Sequence, residues 1–176
     1  MADRFEWPDD DYTRLLAEHG ERLTRLAFLL TGNRADAEDA VQDAVISVAG
    51  QWRRIAKSSP VGYLRTAVTR RAIDIVRRTR SLPLDDLLDL GTADTGYLRL
   101  EADLEFVRLL QELPEKQRAV LVLRYHQQLD DRDIGRVLGC TAATVRSQAS
   151  RALAKLREGT APSAVVAEPI RGGGPA

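Results

Sequence analysis

Apolar side chains recur at helical spacing through the first 80 residues, and this pattern predicts three long helices. The first extends from Asp11 to Leu30 and ends at Thr31-Gly32-Asn33, because glycine and asparagine suit a helix end. The second extends from Arg34 to about Ala49. The third covers residues 60–80 and begins at Ser59-Pro60, a helix cap followed by proline at the first helical position.

The C-terminal half is predicted to contain four shorter helices. One runs from Glu101 to Leu113, where Pro114 disfavours helical geometry in the residue before it. A second covers residues 115–127, and the segment Leu129–Arg157 supplies the last two, joined by a tight turn. In the helix over residues 115–127, the apolar positions are Ala119, Val120, Leu123 and Tyr125.

The two helices within Leu129–Arg157 have recognisable ends. The first covers about Arg132 to Leu138, and Gly139 suits the left-handed conformation that ends it. Thr141 can cap the second helix, since its hydroxyl accepts from an unpaired backbone N–H. One stripe of the second helix is apolar and is predicted to be buried: Val145, Ala149, Ala152, Leu153 and Leu156.

The whole pattern predicts an all-α protein of two small helical domains joined by an acidic, flexible linker. The C-terminal domain is a four-helix module that contains a helix-turn-helix. A chain of 176 residues suffices for two domains with cores of their own. The predicted segments are a flexible leader (1–10), a first domain (11–80), a linker (81–100), a second domain (101–158) and a disordered tail (159–176).

The second helix of the helix-turn-helix has a polar face opposite its apolar stripe. Small, polar or cationic residues occupy that face: Ala143, Arg146, Ser147 and Ser150. Such side chains suit a helix that lies in the DNA major groove. An ordinary helical hairpin with a solvated polar face is the alternative, and the local pattern leaves both open.

Acidic residues form a stripe on the helix that begins at Arg34. Asp36, Asp39 and Asp43 lie at i, i+3 and i+7, with Glu38 and Gln42 beside them: we call these five residues the acid stripe. Like charges at this spacing repel each other, so the stripe costs stability. It is either a solvated face or a docking surface for a basic groove of another protein, and the repulsion within the stripe favours docking.

The helix over residues 60–80 is strongly basic. It carries six arginines against a single acid, Asp74, and Tyr63 lies near its start. A helix with so little compensating charge suits contact with nucleic acid.

The formal net charge of zero hides alternating blocks. Residues 51–80 carry 9 bases and 1 acid, and residues 116–158 carry 9 bases and 4 acids. Residues 1–50 carry 11 acids and 5 bases, and residues 81–115 carry 9 acids and 2 bases. The basic blocks either bind nucleic acid or pair with the acidic blocks inside the fold, and charge alone does not decide between these.

The composition argues against several classes of protein. Cys140 is the only cysteine, so no intrachain disulfide can form, and with two distant histidines it makes a poor metal set. No catalytic triad, Cys/His pair or phosphate loop stands in a plausible setting. No apolar run is long enough to span a bilayer. We therefore expect a cytoplasmic protein that is not an enzyme and has no metal or cofactor.

Three stretches, taken in order, resemble one protein family. They are LAFLLTGNRADAEDAVQDAV, PVGYLRTAVTRRAIDIVRRTR and ELPEKQRAVLVLRYHQQLDDRDIGRVLGCTAATVRSQASRALAKLR. The chain resembles the small bacterial sigma factors of the sigma-70 class, the extracytoplasmic-function group, and its first half is most similar to an actinobacterial branch. The resemblance covers about residues 12–80 and 101–157. An autonomous helix-turn-helix regulator is the alternative, but it accounts for neither the acid stripe nor the basic helix.

The resemblance implies a promoter-specificity subunit of RNA polymerase. Its implied partners are core polymerase, through the β′ clamp helices and the β flap, promoter DNA, and an anti-sigma factor as a further candidate. The acid stripe is similar to the surface that binds the clamp helices. The basic helix is similar to the one that recognises and melts the minus-10 element: Tyr63, Arg70, Arg71, Arg77 and Arg78. The helix from Ala142 is similar to the minus-35 reader: Thr141, Ala143, Arg146, Ser147, Ser150 and Arg151.

The chain departs from the family pattern in three places. Many relatives carry tryptophan where Tyr63 stands and asparagine where Arg70 stands. The turn that often reads Ser-x-Gly-Thr-Val is Thr141-Ala142-Ala143-Thr144-Val145 here. These departures leave the base preference at both promoter elements open.

Overall fold

The computed structural model describes residues 8–80 and 101–159. Most of the predicted leader, the whole predicted linker and nearly all of the predicted tail lie outside the described residues. The described chain consists of helices and short connections, which confirms the predicted all-α fold. Within these two ranges, no helix combines the length and apolar character needed to cross a membrane.

The N-terminal domain contains three long helices that pack against one another in pairs, and one short helix. The turn after the first helix is short because Gly32 takes the left-handed conformation (φ 72°) and Asn33 then caps the next helix, its Oδ1 accepting from the Asp36 N–H at 3.1 Å. The long helices have almost the predicted bounds. The elements are α1 (Asp10–Thr31), α2 (Arg34–Ala49), α3 (Trp52–Ile55) and α4 (Pro60–Arg80).

Tyr12 fastens the start of α1 to the rest of its domain. Its ring is fully buried, its centroid lies 4.9 Å from that of the Trp52 ring, and its hydroxyl donates to the Val45 carbonyl at 2.6 Å. Burial raises the pKa of Tyr12 to about 12. Trp52 Nε1 donates to Asp9 at 2.8 Å, and Asp9 also caps α1. The prediction of a flexible leader is therefore wrong for Asp9 and Asp10, because Asp9 caps the helix and Asp10 begins it.

The C-terminal domain differs from its prediction at one point. A single helix was expected over residues 115–127, whereas α6 gives way to a π-helical turn in which the Gln127 N–H donates to the Val122 carbonyl at 3.2 Å. The wider turn shifts the following side chains around the axis, and Tyr125, expected at an apolar position, is 60% exposed. The elements are α5 (Glu101–Gln111), α6 (Glu115–Leu121), the π turn (Val122–His126), α7 (Asp131–Leu138) and α8 (Ala142–Gly159).

The helix-turn-helix formed by α7 and α8 is as predicted. Gly139 ends α7 at φ 67°, and the Thr141 hydroxyl accepts from the Thr144 N–H at 3.1 Å at the start of α8. Gly135 allows the close approach of the turn, because a Cβ there would lie 2.6 Å from the Cys140 carbonyl oxygen. Of the predicted stripe, Val145, Ala149 and Ala152 are buried, and Leu153 and Leu156 are half-buried.

The two domains contact each other directly, a feature that the sequence pattern did not predict. Helix α1 packs on α5 and the π turn, and α4 packs on α6 and α7. A continuous set of buried side chains extends through both domains. A cavity of about 360 Å³ remains between α4 and the helix-turn-helix.

Candidate nucleic-acid interface

The outer face of α8 is open to solvent. All six residues expected to read the minus-35 element are exposed: Thr141, Ala143, Arg146, Ser147, Ser150 and Arg151. They face outward because the opposite face packs on α6 and α7. The small side chains around Arg146 would let the helix backbone approach a base edge closely. The face is therefore exposed and sterically open to a partner such as a DNA groove.

Arg146 belongs to a small charged group behind this face. Its guanidinium lies 3.7 Å from the Asp131 carboxylate, and its side chain is still 64% exposed. Asp131, at the start of α7, also accepts from Arg124. Two cations therefore share one carboxylate, so Arg146 is held loosely and keeps donors for another anion.

The basic residues of α4 lie together on one exposed face of the helix. With 100° per residue, Tyr63, Arg70, Arg71, Arg77 and Arg78 fall within about 120° of the helix circumference. All five are exposed, Tyr63 to 50%. The five residues expected at the minus-10 element therefore do share one face.

One edge of this face turns towards the C-terminal domain. Arg70 Nε donates to the Val137 carbonyl at 3.0 Å, and its Nη2 donates to the Arg136 carbonyl at 3.3 Å. Arg70 and Arg77 also line the cavity beside the helix-turn-helix. Arg70, expected to read DNA, is therefore engaged with α7.

The other edge turns towards the acid stripe on α2. Arg71 lies 3.6 Å from the Asp43 carboxylate, and Arg78 lines a shallow groove together with Asp39 and Asp43. The acidic and basic blocks thus pair at least at this point. The two sequence interpretations of the charge blocks are not exclusive.

The acid stripe itself is mostly open. Glu38, Asp39, Gln42 and Asp43 are exposed, whereas Asp36 is half-buried. Burial, with the nearby Asp39 charge, raises the pKa of Asp36 above its ordinary value. The repulsion expected from the sequence is therefore present in the fold, and a cationic partner would relieve it.

Ile46 was missed in the sequence. It is 47% exposed and lies three residues after Asp43, on the same side of α2 as the acid stripe. Its spacing from Gln42 and Asp43 is the only signal that could have revealed it. A single exposed apolar side chain is common on protein surfaces, so Ile46 bears on function only together with the acid stripe beside it.

Both domains match known families. Residues 15–82 match the model described as Sigma-70 region 2, and residues 103–156 match that described as Sigma-70, region 4. The ECF RNA polymerase sigma factor SigM of Mycobacterium tuberculosis is 33% identical over 148 residues, which cover 82% of this chain and 74% of SigM. This chain belongs to the sigma-70 family. The matches favour a sigma factor of the extracytoplasmic-function group over an autonomous regulator.

Other relatives agree with this family. The RNA polymerase sigma-E factor of Streptomyces avermitilis is 34% identical over 141 residues, 78% of each chain. SigJ, an extracytoplasmic function sigma factor of M. tuberculosis, aligns with a TM-score of 0.60 at 25% identity, over 82% of this sigma factor and 52% of that chain. The sigma factor RpoE of Bartonella quintana, solved with the anti-sigma factor NepR, aligns with a TM-score of 0.65 at 24% identity, over 85% and 96% of the chains, and shows the shared fold.

The family matches coincide with the two domains of this sigma factor. The region 2 match spans the helices that carry the acid stripe and the basic face, and the region 4 match spans the helix-turn-helix.

In residues 8–80 and 101–159, no group of three or more His, Cys, Asp or Glu side chains could hold a metal ion.

Proposed function

We propose that this sigma factor docks on core RNA polymerase through α2 and directs it to promoters through α4 and α8. The observation that carries the proposal is the open polar face of α8 on a chain that also presents the acid stripe. The first surface suits DNA, and the second suits a cationic protein. A protein that acts with RNA polymerase works in the cytoplasm, and it is a transcription initiation factor rather than an enzyme.

The polymerase contact is assigned to the acid stripe with Ile46 at its C-terminal edge. An exposed apolar side chain beside charged ones can provide buried contact area while the charges give orientation. The β′ clamp helices are the proposed partner of this surface. The β flap is the proposed partner of the C-terminal domain.

The minus-10 contact is assigned to the basic face of α4. Separated DNA strands need cations along the backbone and an aromatic surface on which a base can stack. Tyr63 supplies an exposed ring, and Arg70, Arg71, Arg77 and Arg78 supply the cations.

The minus-35 contact is assigned to α8. Arg146 and Arg151 are the candidates for guanine or phosphate contacts, and Ser147 and Ser150 are secondary contacts. Thr141 and Ala143 lie at the exposed start of the helix, where base-edge contacts of helix-turn-helix proteins concentrate.

The solved RpoE of B. quintana binds an anti-sigma factor, and a partner of that kind is proposed for this chain too.

Charge reversal on the acid stripe tests the polymerase contact. Asp39→Lys is suitable because Asp39 is exposed and the Arg71 contact involves Asp43 instead. We expect core-polymerase binding to fall by at least about tenfold. Glu21→Lys is the matched control, since it makes the same charge change at an exposed position of α1.

The readouts are a binding titration with core polymerase and run-off transcription from a promoter library. The control should behave like the wild type in both. Normal core binding by a folded Asp39→Lys protein would remove α2 from the polymerase contact.

A further inference from the structure

The contact between the domains is built on the carbonyl groups at helix ends. The last four carbonyls of a helix have no partner within it. At the end of α1, the Leu29 carbonyl accepts from Gln111 Nε2 at 3.4 Å, and the Leu30 carbonyl accepts from Arg118. Gln111 and Arg118 both belong to the C-terminal domain, so this domain caps α1.

The reverse arrangement occurs at the end of α7. The Gly135 carbonyl there accepts from the Cys140 N–H at 2.9 Å. The next two carbonyls, those of Arg136 and Val137, accept from the two donor groups of Arg70. Arg70 belongs to the N-terminal domain, so each domain caps a helix of the other with an arginine.

The charges at both points are complementary. The C-terminal end of a helix carries partial negative charge, which favours a guanidinium there. Arg118 is only 2% exposed, and its Nη2 also donates to the carbonyls of Gln111 and Leu113 at 3.2 Å each. The approach is close, because a Cβ at Gly32 would lie 2.4 Å from Gln111 Cδ.

This closed arrangement is incompatible with a promoter bound at both elements. The minus-35 and minus-10 elements are about 25 base pairs apart, which is on the order of 85 Å at about 3.4 Å per pair. In the structure, Arg70 on the minus-10 face touches α7 of the minus-35 reader directly. The two surfaces must therefore separate before both can contact one promoter.

We propose that Arg70 and Arg118 form a reciprocal latch that holds the free sigma factor closed, and that Arg70 leaves the α7 carbonyls when the domains part. The role that we give to the latch in transcription rests on the proposed function. The closure itself is a property of the free chain and can be tested without polymerase. Opening leaves the carbonyls of α1 and α7 to water, so the latch is reversible.

Cys140 is a native probe of the latch. It is the only cysteine, is half-buried, and lines the cavity between the domains together with Arg70. The rate at which a thiol reagent modifies Cys140 in the full chain reports how often the domains part. Small-angle scattering of the same samples reports the radius of gyration and separates opening from a local change at the cavity.

Two variants address the two ends of the latch. Arg70→Gln removes the guanidinium that binds the end of α7. Gln111→Ala removes a side chain that binds the end of α1, and Gln111 does not line the cavity that contains Cys140. We expect the Cys140 rate to rise about tenfold in Arg70→Gln, which loses a charge-assisted contact, and about threefold in Gln111→Ala, which loses a neutral one, together with a larger radius of gyration in both. Arg53→Gln, at an exposed position of α3, is the matched control and should leave both quantities unchanged.

The outcomes separate the latch from the proposed function. If both variants keep the wild-type rate and radius, or if Arg70→Gln raises the rate without enlarging the molecule, the latch is overturned. If the latch variants open but the wild type fails to direct transcription with core polymerase, the latch stands and the proposed function fails.

Discussion

Helices α4 and α8 carry similar polar faces, yet the fold treats the two faces differently. On α8, one side packs on α6 and α7 and the other is open. On α4, one edge of the basic face meets the helix-turn-helix and the other meets the acid stripe. The same kind of sequence pattern therefore gives one surface that is open to solvent and one that is partly engaged within the molecule.

The difference arises from the position of α4 in the molecule. It packs on α1 and α2 and also contacts α6 and α7 of the other domain. A helix with neighbours on several sides offers its long side chains many acceptors, and an arginine can satisfy unpaired carbonyls without being buried. The minus-10 face is thus the surface whose availability depends on domain position.

The largest effect is expected from Arg118, which joins the C-terminal domain to the end of α1. Arg118→Met should lower the free energy of unfolding by about 2–4 kcal/mol, because the carbonyls of Leu30 and Leu113 lose a buried donor. Urea denaturation measures this. Arg132→Met, at an exposed position of α7, should change it by less than about 0.5 kcal/mol. Equal stability of the two variants would contradict the role of Arg118.

The next effect concerns the open face. Arg146→Ala should lower minus-35-dependent transcription by about 10- to 100-fold, which corresponds to the loss of one base or phosphate contact worth about 1–3 kcal/mol. Core-polymerase binding should stay unchanged, because Arg146 lies on the exposed face of α8 that is assigned to DNA and the acid stripe is intact. Unchanged transcription would remove Arg146 from the DNA contact.

A smaller effect is expected at the edge of α4 that meets α2. Arg71→Ala should change the free energy of unfolding by less than about 1 kcal/mol, because Arg71 and Asp43 are both about half exposed and solvent screens their attraction. Thermal denaturation measures this. A loss of several kcal/mol would mean that this edge is held as firmly as the Arg118 junction.

The smallest effect is a pH dependence at the junction. His126 faces Arg22 and Arg25 of α1, and burial, with these two charges, lowers the pKa of His126 below its ordinary value of 6.5. The folded state therefore resists protonation, so stability is full above about pH 6.5 and falls as the pH drops towards the lowered pKa. His126→Gln should lose less stability than the wild type between pH 7.5 and 5.5 in thermal melts. Parallel curves would show that His126 does not titrate against α1.

Local signals in the sequence were enough for the helices and their ends. Gly32, Gly139 and Thr141 have the expected roles because caps depend on the few residues around them, whereas Asn33, expected at the end of α1, caps the start of α2. The π turn after α6 was missed, since the apolar pattern of a short helix continues through it. Its consequence, the exposure of Tyr125, appears only in three dimensions.

The residues of the candidate site also fall into two groups: those that local sequence could predict and those that depend on the fold. Exposure of the α8 face followed from its periodicity, because the apolar stripe fixes which side is buried. The engagement of Arg70 could not be predicted, since its acceptors are backbone carbonyls 66 and 67 residues away, and every residue has such a carbonyl. Arg118 was unrecognisable for the same reason: its partners include the Leu30 carbonyl in the other domain.

The central claim is that contact between the domains engages the α4 face and leaves the α8 face open. The distance between α1 and α8 tests this claim most directly. Spin labels at Ala17→Cys and Ala154→Cys, both exposed positions, in a Cys140→Ser background allow this distance to be measured in the full chain. We expect one short distance in the free sigma factor and an increase of tens of Å, towards the promoter spacing of about 85 Å, with core polymerase and promoter DNA. An unchanged distance in an active transcription complex would contradict the account.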